Sequence, residues 1–583
     1  MAPLSPTPTR LHHAPALDGL RAIAVAAVLG FHAGLTWLPG GFLGVDVFFV
    51  LSGYLITSLL LAEQAATHGV DLLRFWARRA RRLLPAVVVV VAACLLVSAF
   101  LASGEAAGVR GDVLPSLFYF NNWHQIFSDQ SYFVAVGRPS LLRHLWSLSV
   151  EEQFYLLWPL AIAFGLAALG RPRFLRLTAG LAVASALLMA VLFDPSGDPS
   201  RVYYGTDTRA TALLLGAALA FVWPLRPVHA PLRKHAQVIL DVVAGVGLVV
   251  LGLAFALAHE FDSWLYRGGL AVVAVASALL IAAVVHPASR IGRWLGVGPL
   301  RWIGDRSYGI YLWHWPVMAL SRPDIDVSLT AWLLVPAQIG LTVGLAAASY
   351  RWVEMPFRTG AAQERIRAWM RRRAPRHRLA IVSGGTLIAV VGGVWLAAAP
   401  ATSTPGITKT KAAAAIPGAG ATPAVLRPAA QQPPLCVGAS VMLAAQKALR
   451  TRLGRGTIVD AAVGRYPADI VRRLETYRKA GRLPSRVVVQ IGENGPIRDE
   501  DMQHLRAALA GVQRVVLVNV KVPTTWELDT NTRLVTTVQD WPQAVVADWH
   551  RRTGPALLYG DGIHPNPAGQ QVYAEVVKRA LAD

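Results

Sequence analysis

Charge is scarce in this 583-residue chain. Only 15% of its residues are charged, against roughly 25% in an ordinary soluble domain. With 54% hydrophobic residues and a mean hydropathy of +0.43, that shortage excludes a wholly soluble, a disordered or a fibrous protein. Cysteine is scarcer still. Cys94 and Cys436 are the only two; they lie in regions of different character, one of them inside an apolar run, which argues against a disulfide framework. Acidic residues are the minority charge, 34 against 56 Lys and Arg, for a net charge of +22. Such an excess can signal nucleic acid, but here the cations sit between apolar runs of membrane-spanning length. The expected partner is therefore a lipid bilayer and not nucleic acid. No spacing of ligating residues marks a metal site, and no short-period repeat is present. Met1–Arg10 leads into the first apolar run without the A-x-A exit of a cleaved signal peptide.

About eleven segments can span a bilayer, near residues 17–38, 42–62, 83–102, 147–169, 175–193, 209–225, 237–258, 266–285, 305–320, 329–350 and 379–399. Cations crowd alternate connections. Arg74, Arg78, Arg79, Arg81 and Arg82 fill the second, and nine arginines from Arg351 to Arg378 fill the tenth. The positive-inside rule then places the N-terminus in the cytoplasm, and an odd number of spans places the C-terminal region outside.

Residues 400–434 hold seven prolines amid Ala, Thr and Gly, the composition of an extended tether. Beyond it, β-branched runs alternate with amphipathic stretches. Strands are expected at Thr457–Val459, Val487–Ile491 and Val515–Val520, and helices at Pro467–Ala480, Asp499–Ala510 and Pro567–Leu581. This alternation predicts one small doubly wound α/β domain. The expected division is a membrane domain over 1–360, a basic cytoplasmic segment and last span over 361–400, a linker over 401–434 and the α/β domain over 435–583.

The first span reads Asp18-Gly-Leu-Arg21 and reaches His32 eleven residues on. Eleven helical positions return to nearly the same face about 16 Å further along. An arginine toward the cytoplasm suits an anionic phosphorylated donor, and a histidine toward the outside suits a general base. The plainer alternative is a snorkelling Arg21 and a satisfied interior His32. Asp46 and Ser52 in GFLGVDVFFVLSG, and His144, Trp146, Ser147, Ser149, Glu151 and Glu152 in RHLWSLSVEEQFY, are expected at the same outer depth. Two adjacent carboxylates entering a membrane cannot both face lipid cheaply, so one should line a polar cavity, although an interfacial helix start also favours acids. The run Phe75-Trp-Ala-Arg78-Arg79-Ala-Arg81-Arg82 reads either as a donor site or as a basic anchor on the inner leaflet.

These blocks resemble the bacterial membrane acyltransferase-3 family. The resemblance rests on Arg21-x10-His32, GVDVFFVLSGYLI, FWARRARRLLP and LWSLSVEEQFYLLWP, then YYGTDTRATALLLG, IGDRSYGIYLWHWP and Glu354-Met-Pro356-Phe-Arg358. It runs in order over residues 15–360 and implies transfer of an acyl group, usually acetyl, from cytoplasmic acetyl-CoA to an extracytoplasmic carbohydrate. By that resemblance His32 is the intramembrane catalytic histidine, Arg21, Arg78, Arg79 and Arg82 are acyl-donor-binding candidates, and Glu151 or Glu152 is the matching acid.

In the outer region, LCVGASVMLA reads as a strand, a tight glycine turn and Ser440 opening a helix, where backbone N–H groups favour a nucleophile. Gly560-Asp561-Gly-Ile-His564 puts an acid and a histidine three apart on one loop, so that Asp561 can orient His564 as base for Ser440. Gly464 and the Gly492-Glu-Asn494-Gly495 turn can supply oxyanion donors. Taken singly, the serine also reads as a helix cap and the Asp-x-x-His as a loop bond. Together and in this order they resemble the SGNH hydrolase fold, in the version fused to acyltransferase-3 domains in cell-envelope O-acetyltransferases. The implied roles are Ser440 nucleophile, His564 base, Asp561 orienter, and Gly464 with Asn494 in the oxyanion hole. The family usually has Gly-Asp-Ser where this chain has Gly438-Ala439-Ser440, which puts the local turn and the substrate preference in question.

The expectation is thus a multi-pass enzyme of a bacterial plasma membrane that acetylates an extracytoplasmic glycan through a relay from His32 to Ser440, with peptidoglycan preferred as acceptor. Two rivals stand beside it: a membrane acyltransferase with an accessory acetylesterase domain, and a transporter for a glycan carrier.

Overall fold

The computed structural model describes residues 14–371 and 433–582, apart from 102, 129, 133–137, 196–197, 226–233, 324–325, 328, 455, 525 and 560–561. The expected last span at 379–399, nearly all of the linker and Asp561 lie outside the described residues.

The first part is helical. Its principal helices are α1 (Pro15–His32), α2 (Gly44–Thr67), α3 (Leu72–Ser98), α4 (Trp146–Leu192), α5 (Thr206–Val222), α6 (Lys234–Leu257), α7 (Leu270–Val284), α8 (Gly298–Leu320) and α9 (Ala331–Ser349). Among the described residues, seven helices are long and apolar enough to cross a membrane. The difference from the eleven predicted segments has physical causes. The segments at 147–169 and 175–193 belong to one run, α4, broken at Gly170, whose φ of +69° only glycine adopts freely. The segment at 209–225 becomes α5, of 17 residues, a little short for a bilayer of about 30 Å. The segment at 305–320 starts earlier, in α8, which adds Arg301 to Asp305 and Arg306.

Small residues let these helices approach. A Cβ on Gly53 of α2 would lie 1.9 Å from the Leu213 carbonyl oxygen of α5, and one on Gly216 would lie 2.1 Å from that of Val50. Backbone therefore packs on backbone there, the usual device where lipid supplies no hydrophobic drive for helix pairing. The same holds between α1 and α8, where a Cβ on Gly304 would meet the Asp18 carbonyl oxygen at 1.9 Å. The two helices run side by side in one direction, and His32 reaches the level of His314.

The second part is a five-stranded, all-parallel sheet of β1 (Leu435–Gly438), β2 (Ile458–Ala461), β3 (Arg486–Gln490), β4 (Arg514–Val518) and β5 (Ala544–Ala547), in the order β2-β1-β3-β4-β5. Helices α10 (Ser440–Ala444), α11 (Gln446–Leu453), α12 (Pro467–Lys479), α13 (Asp499–Ala508), α14 (Glu527–Gln539) and α15 (Pro567–Ala582) connect and cover the strands. Alternation sorts the side chains. Val487 and Val489 join a core with Ile470, Leu474 and Leu534 on one face, while Val488 joins Cys436, Trp549 and Tyr573 on the other. Each fully buried valine contributes about 1.5–3 kcal/mol. In such a sheet the strand order reverses between β1 and β3, and ligands bind in the crevice beyond the carboxyl ends of those strands.

Candidate active site

One centre lies at that crevice. Val437 of β1 pairs with Val489 of β3, so the residues three and four further on, Ser440 with Val441 and Gly492 with Glu493, leave the sheet side by side. His564 comes from the segment before α15. That segment folds back on itself through an antiparallel bridge between Leu558 and Pro565 and a Tyr559 N–H bond to the His564 carbonyl. The His564 Nε2 lies 2.8 Å from Ser440 Oγ, and both side chains are buried.

The two expected oxyanion residues lie in turns of the same domain. Gly464 has a φ of +73°, a turn that only glycine makes cheaply. Asn494 directs its Nδ2 to the Arg465 carbonyl at 3.1 Å. A residue assigned no role from the sequence touches Ser440 directly. Glu493 Oε1 accepts from Ser440 Oγ at 2.5 Å and from the Val441 N–H at 2.8 Å. Burial pushes its carboxyl up, and the His564 ring and the Ser440 hydroxyl pull it partly back. A hydroxyl has one proton, so Ser440 donates to Glu493 or to His564 but not to both.

A second centre is built on α1 and α8. His32 Nε2 lies 3.1 Å from the Tyr132 hydroxyl, and its Nδ1 lies 3.1 Å from His314 Nε2. His314 Nδ1 in turn lies 2.5 Å from the Tyr311 carbonyl oxygen. A carbonyl only accepts, so His314 Nδ1 carries the proton, and in the neutral ring His314 Nε2 is left with a lone pair. His32 Nδ1–H then donates to it, and His32 Nε2 presents its lone pair to the Tyr132 side. Trp315 closes one face, its ring 5.0 Å from that of His32. The side chain bonded to the far nitrogen of His32 is thus a histidine, not a carboxylate.

Glu151 and Glu152 stand elsewhere. Seven residues separate Glu151 from His144, about 10 Å of helix, which carries both acids away from the level of His32. Glu151 accepts from Ser52 Oγ at 2.5 Å and from the Tyr155 hydroxyl. Arg79 stacks on the Tyr155 ring, 3.8 Å from its centroid, and Glu152 lies in the field of Arg79, Glu151 and Arg82. Arg82 also faces Arg79, Arg21 and Arg358, and Arg21 is 3.5 Å from Asp18. The structure therefore gathers Arg21, Arg79 and Arg82 with the two acids. It leaves Arg78 apart, on Glu63 at 3.3 Å near the surface. Asp46 pairs with the buried Arg209 at 3.0 Å.

A cavity of about 410 Å³ lies between the helical part and the α/β part. Its walls include Phe193, Glu260 and Phe261 on one side and Tyr466, Gly495 and Trp526 on the other. Phe261 meets Trp526 edge-on, with ring centroids 5.2 Å apart, and Arg498 donates to the Pro195 carbonyl at 2.6 Å.

Residues 15–351 match the acyltransferase-domain family. The chain belongs to that family. It is 34% identical over 619 residues to the peptidoglycan O-acetyltransferase OatA of Listeria monocytogenes, with 98% of each chain covered. It is 33% identical to the putative peptidoglycan O-acetyltransferase YrhL of Bacillus subtilis, covering 98% of this chain and 99% of that one. For the O-acetyltransferase OatA of Staphylococcus aureus the identity is 32%, covering 97% and 96%. Among solved structures, the C-terminal catalytic domain of the Streptococcus pneumoniae peptidoglycan O-acetyltransferase A, with a methylsulfonyl adduct, matches at 23% identity and a TM-score of 0.25, over 26% of this chain and 93% of that one. The protein is a membrane O-acyltransferase.

His314, Tyr132 and Glu493 were not singled out in the sequence. His314 lies within a motif block, IGDRSYGIYLWHWP, whose length hid which residue bears chemistry. Tyr132 lies in a connection without periodicity. Glu493 was visible only as the second residue of a glycine-flanked turn.

Proposed function

We propose that this acyltransferase moves an acetyl group from cytoplasmic acetyl-CoA across the membrane to a hydroxyl of an extracytoplasmic glycan, peptidoglycan before other envelope polysaccharides. The N-terminus lies in the cytoplasm and the α/β domain outside, carried by ten spans and an eleventh before the linker. Arg21, Arg79 and Arg82 hold the phosphates of the donor, with Glu151 and Glu152 fixing the arginines. His32 acts as general base through its Nε2 lone pair, which the proton on His314 directs toward the Tyr132 side. The α/β domain, of SGNH type, receives the acetyl on Ser440 with His564 as base and Asp561 as its orienter, and the turns at Gly464 and Asn494 border the acyl oxygen. CoA is too large and too charged to cross a bilayer, whereas an acetyl group can be handed on.

The observation that carries this reading is the Ser440–His564 hydrogen bond of 2.8 Å, at the strand-order switch of a domain joined to a family acyltransferase. The relatives matched over their whole length, named for peptidoglycan O-acetylation, supply the acceptor class. The cavity between the two parts, bordered by Gly495 next to Asn494, supports a handover between them. The test is base-labile acetate on purified envelope glycans from cells carrying wild type, His32→Ala, Ser440→Ala or no copy. Acetate on the peptidoglycan fraction with wild type alone is expected. Wild-type levels with Ser440→Ala would make the α/β domain an accessory.

A further inference from the structure

Glu493 is a buried carboxylate on the proposed nucleophile, and none of the roles above uses it. Its Oε1 takes the Ser440 hydroxyl at 2.5 Å and the Val441 N–H at 2.8 Å, while Ser440 Oγ also meets His564 Nε2 at 2.8 Å. Its second oxygen, Oε2, is buried with no hydrogen-bond partner among the described residues. A buried carboxylate with one oxygen unsatisfied is costly when ionised, so its placement against a nucleophile needs a reason.

We propose that Glu493 and His564 share one proton through the Ser440 hydroxyl, and that the side holding it decides whether Ser440 is a nucleophile. With the proton on His564, the imidazolium Nε2–H donates to Ser440 Oγ and Ser440 donates to the Glu493 carboxylate. The base is then already protonated and Ser440 points away from it. With the proton on Glu493, the carboxyl donates to Ser440 Oγ and Ser440 donates to the His564 Nε2 lone pair. Attack can then proceed: the Oγ–C bond forms, the bond from the acyl carbon to its leaving group breaks, and the hydroxyl proton goes to His564 and from there to the leaving group. Glu493 is in this sense a positioning residue, acting through Ser440.

Asp561, the proposed orienter of His564, lies outside the described residues, and it is the same in every variant compared below. Ser440 faces Glu493 from α10 and His564 from the loop before α15. Tyr573 faces it from α15, and burial holds that phenol well above its usual range, with its hydroxyl donating to Gln490 at 2.9 Å. Cys436 of β1, beside Tyr573, is pushed up to about 12 by burial. Arg465 is engaged by Asp460 at 2.6 Å. A pair coupled through Ser440 loses its last proton at a higher pH than either group facing a neutral partner.

The inference rests on the reading of Ser440 as nucleophile, and the experiment separates the two. Full-length protein in detergent is treated with methanesulfonyl fluoride between pH 5 and 9, and the rate of Ser440 sulfonylation is followed by mass spectrometry. In this probe Oγ–S forms, S–F breaks, fluoride leaves and the proton passes through His564 to water. The expected result is that Glu493→Gln lowers the midpoint of the pH–rate curve by at least about one unit, so that on the acid limb it labels roughly tenfold faster than wild type. An unmoved midpoint overturns the inference. If Glu493→Gln does not label, Glu493→Ala is measured in the same way, and failure of both at pH 9, with unchanged melting curves, also overturns it. Labelling of the same peptide in Ser440→Ala would instead overturn the nucleophile reading.

Discussion

His32 and His314 face each other across two parallel helices, with His32 Nδ1 3.1 Å from His314 Nε2. The close approach that allows it is made two turns and more away, where Gly304 lies against the Asp18 backbone. Because His314 is tied to the Tyr311 carbonyl, its ring fixes the tautomer of His32. Replacing His314 by Ala removes that constraint while leaving His32 in place. We expect turnover to fall roughly 10- to 100-fold, about the worth of one or two buried hydrogen bonds, with KM for the donor little changed. His32→Ala should cost more, about 10²–10⁴-fold, as for loss of a general base. Initial rates of acetyl-CoA consumption by the purified protein check both. Equal losses would mean that His314 does more than orient.

The close helix pairing predicts intolerance of single methyl groups. Gly53→Ala places a Cβ 1.9 Å from the Leu213 carbonyl oxygen, where only backbone movement gives room. A loss of about 1–3 kcal/mol is expected, measured as a lowered midpoint of unfolding in detergent. Gly252→Ala, on α6 with no atom within 4 Å of the added Cβ, should leave the midpoint unmoved.

Asp46 and Arg209 form a buried pair at 3.0 Å, with side chains 3% and 1% exposed. Removing one partner of such a pair costs about 3–5 kcal/mol, because the other charge is left uncompensated. Asp46→Ala should therefore lower the folded yield, and adding Arg209→Met should restore much of it. Detergent-stable protein recovered from membranes is the measure.

In the α/β domain, burial pushes the Asp460 carboxyl up. Hydrogen bonds and charge from Arg465 and then Arg473, at 2.6 and 2.5 Å, outweigh it and hold the group below its usual range. A carboxyl depressed in the folded state contributes stability that is present above its unfolded value and lost as pH falls through the folded one. Asp460→Asn should thus melt lower than wild type at pH 7, and the gap should close as pH falls below about 4. Tryptophan-fluorescence melts across that range check it; a gap independent of pH would contradict the assignment.

Much of this architecture is legible in the chain. The strand pattern gave β2, β3 and β4 to within a few residues, because fully buried parallel strands read as β-branched runs. Helix α14 and strand β5 were not identified, the first interrupted by four threonines and the second only four residues long. Ser440 and His564 were legible because glycine turns flank them. The partnership of His32 with His314 was not, since it joins residues 282 apart through helix packing that no local period reveals. The acids Glu151 and Glu152 were legible as functional candidates but not as partners of the arginines, because their depth depends on where α4 starts.

The relay itself is tested most directly by trapping the acetyl group on Ser440. Full-length protein in sealed vesicles, with its arginine-rich face toward added acetyl-CoA and no glycan acceptor present, is quenched in acid and the Ser440 peptide is analysed by mass spectrometry. Acetyl on Ser440 in the wild type and none in His32→Ala is the result the account predicts. Acetyl on Ser440 at wild-type levels without His32, or none in the wild type while an added glycan is still acetylated, would contradict it.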